Sequence, residues 1–299
     1  MAKGAPTDLH CKRILVTGAA RGIGADVSRA LARRGAKIAL VGLEPELLRE
    51  VAAGCGPDSE AFEADVTDRA ALEAAVEAAA ARLGGLDVVI ANAGVAAIGT
   101  VRTIDPDAFE RIIDVNLVGV WRTVRATLPH LIASRGYVLS VASLAAIAHA
   151  PAMASYAASK AGVEAFSNSL RIELKPSGVD VGVAYFSWID TDIVRGPEAH
   201  PAFRFFRSKL KGPMGKTYPL ADAVDALVAG VESRARTVVA PGWIRALLAV
   251  RSIVPLVNER DSRSWASEMV RIAEDEVERV GAEKASIPDG PAATGIKAG

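Results

Sequence analysis

Short apolar runs alternate with longer helical patterns along most of this chain. The runs are rich in Val, Ile, Leu and Ala and do not alternate with polar residues, which is typical of strands covered on both faces. This alternation predicts an α/β fold with one doubly wound parallel sheet and helices on both faces. The predicted strands are Arg13–Gly18, Lys37–Gly42, Glu60–Glu63, Leu86–Gly94, Gly136–Ser143, Val179–Phe186 and Arg236–Pro241. The predicted helices include Gly24–Ala36, Asp68–Leu83, Pro106–Ser134, Ser155–Lys175, Leu220–Glu232 and Ala266–Val280.

Composition argues against several classes of function. The 35 basic and 35 acidic residues balance to a net charge of zero, which gives no indication of a nucleic-acid partner. Two isolated cysteines, Cys11 and Cys55, make neither a disulfide framework nor a metal cluster, which fits a reducing compartment. The first residues hold no apolar core of signal-peptide length, and no apolar run is long enough to span a membrane. We therefore expect a cytoplasmic protein without a metal site.

A glycine-rich loop follows the first predicted strand and opens the first predicted helix. It contains Gly18, Gly22 and Gly24, with Arg21 and Ile23 between them. Glycines let the backbone approach a pyrophosphate closely, and the helix N-terminus offers free N–H groups to it. The spacing is G-x-x-x-G-x-G rather than the common G-x-G-x-x-G, and a glycine-rich turn can simply be a turn. The strand–loop–helix context favours a dinucleotide site.

Two further segments follow predicted strands and fall at the same edge of the sheet. Asp65 and Val66 come after the third strand, where the carboxylate and the next N–H suit an adenine ring. The alternative is a helix N-cap, a role that Thr67 or Asp68 fills better. Asn92, Ala93 and Gly94 follow the fourth strand, where small residues let a cofactor lie against the backbone; the alternative is an ordinary turn.

Tyr156 and Lys160 are four residues apart in a predicted helix, so they share one face. An ammonium near a phenol favours the phenolate, and we expect Lys160 to lower the pKa of Tyr156 toward a value useful for proton exchange. Ser143 ends the preceding strand, where its hydroxyl can polarise the same carbonyl oxygen. Asn116 interrupts a long apolar helix and is expected to point inward, at a local helix break that relays protons beneath Lys160. Each of these residues alone also has a structural interpretation. Tyr156 and Lys160 can be a solvated pair, Ser143 a capping residue, and Asn116 an amide that bends its helix.

In order and approximate spacing, these motifs together resemble those of the short-chain dehydrogenase/reductase family. The resemblance runs from about Arg13 to about Pro241 and implies a Rossmann-type domain that binds NAD(H) or NADP(H) and transfers hydride between nicotinamide and a carbonyl/alcohol pair. It also implies a homodimer or homotetramer. The implied catalytic residues are Asn116, Ser143, Tyr156 and Lys160. The implied cofactor-binding residues are Gly18, Arg21, Gly22, Ile23, Gly24, Leu43, Asp65, Val66, Asn92, Ala93, Gly94, Tyr156, Lys160, Ile189 and Thr191.

The chain departs from this family's pattern after the sixth strand. Phe186 and Ser187 stand where the family usually has Pro-Gly, while Thr191 is retained. We expect the Ile189 backbone and Thr191 to keep the cofactor contact. Gly42 occupies the position of the acid that favours NAD, and Glu44 either substitutes for it or begins the next helix. Because Arg21 could hold a 2′-phosphate, the sequence slightly favours NADP.

The expected domains are an N-terminal arm (1–12), the nucleotide-binding domain (13–245) with a substrate lid (192–219), and a C-terminal extension (246–299) disordered from about Gly281. The lid is basic and aromatic, which indicates a lipophilic substrate; its cations either bind an anionic handle or are solvated. The apolar segment Trp243–Val257 is expected to line the pocket or an interface rather than a membrane surface. The leading hypothesis is a ketoreductase or alcohol dehydrogenase. The alternatives are a catalytically silent dinucleotide sensor and a membrane-surface scaffold.

Overall fold

The computed structural model describes residues 7–286, and its strands form one parallel sheet in the order β3-β2-β1-β4-β5-β6-β7. The strands are β1 Arg13–Thr17, β2 Lys37–Gly42, β3 Glu60–Glu63, β4 Val88–Ala91, β5 Tyr137–Val141, β6 Asp180–Phe186 and β7 Thr237–Ala240. All six neighbouring pairs are parallel. The predicted doubly wound α/β fold is confirmed.

Helices follow the strands on both faces of the sheet. They are α1 Gly22–Ala32, α2 Pro45–Cys55, α3 Arg69–Leu83, α4 Pro106–Ile113, α5 Gly119–Ser134, α6 Ala154–Glu173, α7 Asp192–Arg195, α8 Pro201–Lys209, α9 Leu220–Glu232, α10 Ile244–Ala249, α11 Val254–Ser262, α12 Ala266–Val280 and α13 Ala282–Ser286. None of them, within the described residues, is long and apolar enough to cross a membrane.

Burial along β1 explains why its sequence has no polar alternation. Ile14 and Val16 point into the core beneath α1 and α9, while Leu15 points into the opposite core beneath α3 and α5. All three side chains are fully buried. A strand that faces apolar helices on both sides needs apolar residues at consecutive positions.

The order of the strands reverses between β1 and β4. From β1 the chain proceeds to β2 and β3 on one side, and it returns to place β4 on the other side. Ligands of doubly wound sheets bind in the crevice that opens beyond the carboxyl ends of the strands at this reversal. The loops after β1 and β4 contain the predicted glycines and Asn92.

The structure differs from the sequence-based prediction at two places. The helix predicted at Pro106–Ser134 consists of α4 and α5 joined by a π-helical turn at Asp114–Val118, and Asn116 lies in that turn. The last described residues are ordered rather than disordered, because Ala282–Ser286 form a short helix. There Ser286 is buried, and its hydroxyl and carbonyl accept hydrogen bonds from Asp105 N (2.8 Å) and Ile98 N (3.1 Å). The remainder of the predicted disordered tail lies outside the described residues.

A separate apolar cluster lies above the carboxyl edge of the sheet. Phe203 and Phe206 of α8 pack with Met269 and Ala273 of α12, and Ile98 from the loop after β4 joins them. Met269 and Ala273 are one helical turn apart, so a single stripe of α12 is buried. Helices α8 and α12 thus pack against each other through this cluster.

Candidate active site

The glycine loop after β1 leaves no room for side chains. Gly18 has a φ of +62°, and a Cβ there would lie 2.8 Å from the Cα of Ala93. A Cβ on Gly24 would fall on the carbonyl oxygen of Gly18. Helix α1 begins at Gly22 with a φ of +53°, a conformation that glycine adopts without strain. The loop and the N-terminus of α1 therefore leave a backbone surface of the kind that a pyrophosphate needs.

Asn92 binds this loop to the end of β4. Its Nδ2 donates to the carbonyl oxygens of Thr17 (3.0 Å) and Gly18 (3.2 Å). In return, Thr17 Oγ1 accepts from the backbone N–H groups of Asn92 (3.1 Å) and Ala93 (3.2 Å). The Asn92 side chain thus fixes the loop geometry, a role that the motif alone could not distinguish from direct contact with a ligand.

A cavity of about 170 Å³, here called the loop cavity, opens beside these residues. Eleven of the predicted cofactor-binding residues line it: Gly18, Arg21, Gly22, Ile23, Leu43, Asp65, Val66, Asn92, Ala93, Gly94 and Thr191. Gly24 does not line the cavity but packs directly against the Gly18 carbonyl. Ile189 is buried, and its carbonyl oxygen accepts a hydrogen bond from Thr191 Oγ1 at 3.2 Å. Sequence reasoning missed Arg111 and Ile193, which also line the cavity.

Arg111 changes the surroundings of Asp65. Its Nη2 donates to Asp65 Oδ2 at 2.9 Å, and the Thr67 N–H donates to Asp65 Oδ1 at 2.8 Å. Burial acts to raise the pKa of Asp65, but the hydrogen bonds from Arg111 and Thr67 outweigh it and hold the pKa below its usual value. Asp65 is therefore an ionised acceptor, and Asp68 caps α3 by accepting from Ala71 N at 3.0 Å, as expected.

Arg21 pairs with Glu44 at the opposite end of the loop cavity. The Nη2–Oε1 distance is 2.6 Å, and Asp192 lies 4.0 Å from the other guanidinium nitrogen. Glu44 is the residue before Pro45, the first residue of α2, yet its side chain does not cap that helix. Its carboxylate instead faces Arg21, so the charge that would attract a 2′-phosphate is already balanced.

Tyr156 and Lys160 lie on one face of α6, and the Lys160 Nζ is 5.7 Å from the centroid of the Tyr156 ring. The Nζ donates to the carbonyl oxygen of Val141 at 2.9 Å. A Cβ placed on Gly94 would lie 3.5 Å from this Nζ, so the amine reaches the end of β4. The amine therefore lies beside the loop after β4, with the phenol one helical turn away.

Burial shifts the pKa of both groups. Lys160 is almost wholly buried, and desolvation lowers its pKa from 10.5 to about 8. Burial raises the pKa of Tyr156, and a hydrogen bond with Ser143 offsets part of this shift. The pKa of Tyr156 in the protein alone therefore lies above its usual value, opposite to the expected direction, because burial disfavours the phenolate.

Ser143 and Asn116 complete the group that the sequence predicted. Ser143 follows β5, and its Oγ lies 3.4 Å from the carbonyl oxygen of Phe186. Asn116 is fully buried, accepts from Val95 N (2.8 Å), and donates to Val95 O (2.9 Å) and Ser159 Oγ (3.2 Å). The π-helical turn aims this amide at the backbone after β4 and at α6, so the inward orientation is as expected.

A larger cavity of about 380 Å³, here called the apolar cavity, adjoins the loop cavity. Ser143 and Tyr156 line its floor, and Trp188, Phe203 and Trp265 are among the aromatic residues around it. Ile193 belongs to the lining of both cavities. A ligand in the apolar cavity can therefore reach the phenol of Tyr156 while a second ligand lies in the loop cavity.

The cations of the predicted lid do not line the apolar cavity. Arg207 stacks 4.5 Å from the ring of Trp188, Lys209 lies 4.5 Å from Phe205, and Lys216 lies 5.5 Å from Tyr218. The charged residues in the lining are instead Glu259 and Asp261. The structure therefore agrees with the interpretation that the lid cations are solvated or stacked on aromatic rings. Among the described residues, the lining of the apolar cavity offers no lysine or arginine cation that could bind an anionic group of a substrate.

Phe186 and Ser187, which replace the Pro-Gly of the family's pattern, leave strand β6 intact. Phe186 is the last residue of β6 and pairs with Ala240. Unlike proline, phenylalanine has a backbone N–H and is compatible with this pairing. The N–H of Ser187 donates to Ala240 O at 3.1 Å. Thr191 precedes α7, and its side chain faces Gly22 across the loop cavity. Phe186 and Ser187 therefore extend the pairing with β7 and line the apolar cavity.

A Gly-rich loop at the strand reversal, joined to a Ser–Tyr–Lys–Asn group under an apolar cavity, defines a dinucleotide-dependent oxidoreductase site on a Rossmann-type fold. The family model described as short chain dehydrogenase matches residues 12–201. The chain belongs to this family.

Named relatives agree with the class. Oxidoreductase UcpA of Escherichia coli (strain K12) is 33% identical over 229 residues, which cover 73% of this chain and 84% of that protein. The 3-alpha-(or 20-beta)-hydroxysteroid dehydrogenase of Mycobacterium tuberculosis (strain H37Rv) is 37% identical over 171 residues, 57% of this chain and 66% of that protein. The crystal structure of 3-ketoacyl-(acyl-carrier-protein) reductase from Brucella melitensis, complexed with NADH, matches with a TM-score of 0.70 and 28% identity. That match covers 78% of this chain and 97% of the reductase.

Proposed function

We propose that this protein is an NAD(P)-dependent ketoreductase or alcohol dehydrogenase that acts on an uncharged, lipophilic substrate. The observation that carries the proposal is the position of Tyr156, which reaches the floor of the apolar cavity from the same helix face as Lys160. The residues of the loop cavity would hold the dinucleotide, which when bound would supply the hydride chemistry. Proton transfer and orientation of the substrate are assigned to side chains of this protein.

Tyr156 is the proposed acid–base residue. Its phenol gives a proton to the carbonyl oxygen during reduction and takes one from the hydroxyl during oxidation. Ser143 lines the same floor, and its hydroxyl donates to that oxygen and orients it. Lys160, with a pKa lowered to about 8, exchanges a proton near neutral pH, and Asn116 fixes the backbone beside it.

The cofactor is proposed to lie along Gly18, Gly22, Asp65 and Asn92. The adenosine ribose would then approach the Arg21–Glu44 pair. A free arginine there would favour the 2′-phosphate of NADP, whereas a carboxylate accepts hydrogen bonds from ribose hydroxyls. Because Glu44 lies 2.6 Å from Arg21, we propose NAD as the preferred cofactor, in contrast to the slight sequence-based preference for NADP.

The substrate proposal depends on the lining of the apolar cavity. Its volume of about 380 Å³ is in the range of small-molecule sites, and aromatic side chains supply much of its wall. The two charged residues in the lining, Glu259 and Asp261, would repel a carboxylate or phosphate. The named relatives include a hydroxysteroid dehydrogenase and a ketoacyl reductase, which is consistent with a bulky apolar substrate.

Location and assembly are further parts of the proposal. Exposed apolar side chains on α5 and α6, Trp121, Ile132 and Ile172, support a homodimer or homotetramer through these helices. Both cysteines are free thiols, which supports the cytoplasm as the compartment.

The test is a screen of uncharged ketones and alcohols, with nicotinamide absorbance as the readout. The Tyr156→Phe variant is expected to lose at least about a hundredfold in kcat, the scale of general acid–base catalysis, while its Kd for NADH stays within about twofold. Tyr218→Phe is the matched control, because this phenol lines neither cavity and bonds to Pro213 O and Trp243 Nε1. It should turn over like the wild type.

The outcomes separate the competing functions. Full activity in Tyr156→Phe would remove this residue as the acid–base group. Tight NADH binding with no turnover of any ketone or alcohol would instead favour the catalytically silent sensor. A wild type that binds neither NADH nor NADPH would contradict the proposal altogether.

A further inference from the structure

An ion pair between a buried carboxylate and a half-exposed arginine joins the helix of Tyr156 to the C-terminal part of the chain. Glu164 follows Lys160 by four residues, so Tyr156, Lys160 and Glu164 form one stripe along α6. The Glu164 side chain is only 5% exposed, yet it is a carboxylate. Both of its oxygens accept from the guanidinium of Arg251, one of them at 3.0 Å. Neither residue lines a cavity, so the reaction described above leaves the pair unused.

The other groups around Glu164 do not replace Arg251. The Tyr185 hydroxyl contacts the carboxylate, and burial together with the negative charge of Glu164 raises the pKa of this phenol. Tyr185 is therefore a neutral neighbour, and Arg251 supplies the positive charge. A buried carboxylate that loses its cation is costly, because the remaining hydrogen bonds do not replace the missing charge.

Arg251 lies between α10 and α11, and its segment forms one side of the apolar cavity. Pro255, Asn258 and Ser262 of α11 line that cavity. Near Arg251, α11 buries one apolar side chain, Val254, while Val250, Ile253, Leu256 and Val257 are exposed, and Asn258 Nδ2 donates to His149 O at 3.4 Å. The family match ends at residue 201, so this wall belongs to the part of the chain beyond it.

We propose that the Arg251–Glu164 pair is a latch that fixes α11 as a wall of the substrate cavity, which makes Arg251 a positioning residue for bulky substrates. The proposal rests on the proposed function. The latch attaches the wall directly to the helix that carries Tyr156. A ketone that fills the cavity is held against the phenol by this wall, whereas a small ketone reaches the phenol without touching α11.

The test compares cyclohexanone with the fused-ring ketone 1-decalone in the full chain. Arg251→Ala should raise KM for 1-decalone by at least about tenfold, the scale on which pocket contacts discriminate substrates. Its kcat/KM for cyclohexanone and its Kd for NADH should stay within about threefold of wild type. Arg251→Lys keeps the charge and should recover part of the loss. Arg245→Ala is the matched control, since Arg245 is exposed in the same segment and has no ion pair among the described residues.

A second variant keeps the test independent of folding. Arg251→Ala combined with Glu164→Gln removes the unpaired buried charge and should show the same rise in KM for 1-decalone. Equal losses for both ketones, or no change for 1-decalone in either variant, would overturn the latch. Hydrogen exchange gives a readout without turnover: backbone amides of α11 should exchange faster in Arg251→Ala and unchanged in Arg245→Ala. If the wild type turns over no ketone or alcohol of the screen, the proposed function fails, whereas unchanged exchange in α11 of Arg251→Ala would refute the latch by itself.

Discussion

Replacing Lys160 with methionine should make the protein more stable at neutral pH while it abolishes turnover. Burial lowers the pKa of Lys160 from 10.5 to about 8. A drop of about 2.5 pH units corresponds to about 3 kcal/mol of folding free energy lost to burying the ammonium. Methionine fills a similar volume and leaves the Val141 carbonyl without its 2.9 Å donor, which costs about 1 kcal/mol. The expected net gain is about 2 kcal/mol at pH 7.

The pH dependence has a definite sign. Between about pH 8 and 10.5 the unfolded chain holds the Lys160 proton and the folded protein does not, so wild-type stability rises with pH in this window. The advantage of Lys160→Met should therefore shrink by roughly 1 kcal/mol between pH 7 and pH 9. Urea unfolding at both pH values measures it, with the exposed Lys175→Met as a control that keeps the wild-type dependence. Parallel profiles for Lys160→Met and wild type would refute the reasoning.

Two further substitutions examine the loop cavity. Gly24→Ala should weaken NADH binding by more than about a hundredfold, because its Cβ would fall on the Gly18 carbonyl and displace the loop. Gly54→Ala in α2, where a Cβ has room, should bind normally, and fluorescence titration compares the two; tight binding by Gly24→Ala would contradict the proposed cradle. Glu44→Gln frees Arg21 and should raise the NADPH-to-NADH ratio of kcat/KM by about tenfold, equivalent to about 1.4 kcal/mol. An unchanged ratio would mean that the pair does not set cofactor choice.

Much of the fold could be predicted because each strand has to be apolar on both faces. Ile14, Leu15 and Val16 show the reason, since consecutive residues enter opposite cores. The positions of Ser143, Tyr156, Lys160 and Asn116 could be predicted as well. Strand ends and helix faces depend on local sequence, and motif spacing indicates which of them meet at one edge of the sheet.

The rest depends on contacts between segments distant in sequence. Arg111 binds Asp65 across 46 positions, and Arg251 binds Glu164 across 87 positions. A periodic pattern shows that one face of α12 is apolar, but not that Phe206 of α8 covers it. The raised pKa of Tyr156 could not be predicted from the sequence either, because burial depends on the whole surrounding structure.

Ile193 belongs to the wall of both cavities, and it lies in α7, a helix of only four residues. One side chain therefore shapes two compartments at once. A substitution at Ile193 changes the wall on both sides, so substrate range and nucleotide affinity are expected to change together at this position, and any thermodynamic coupling between the two ligands would act with equal strength in both directions.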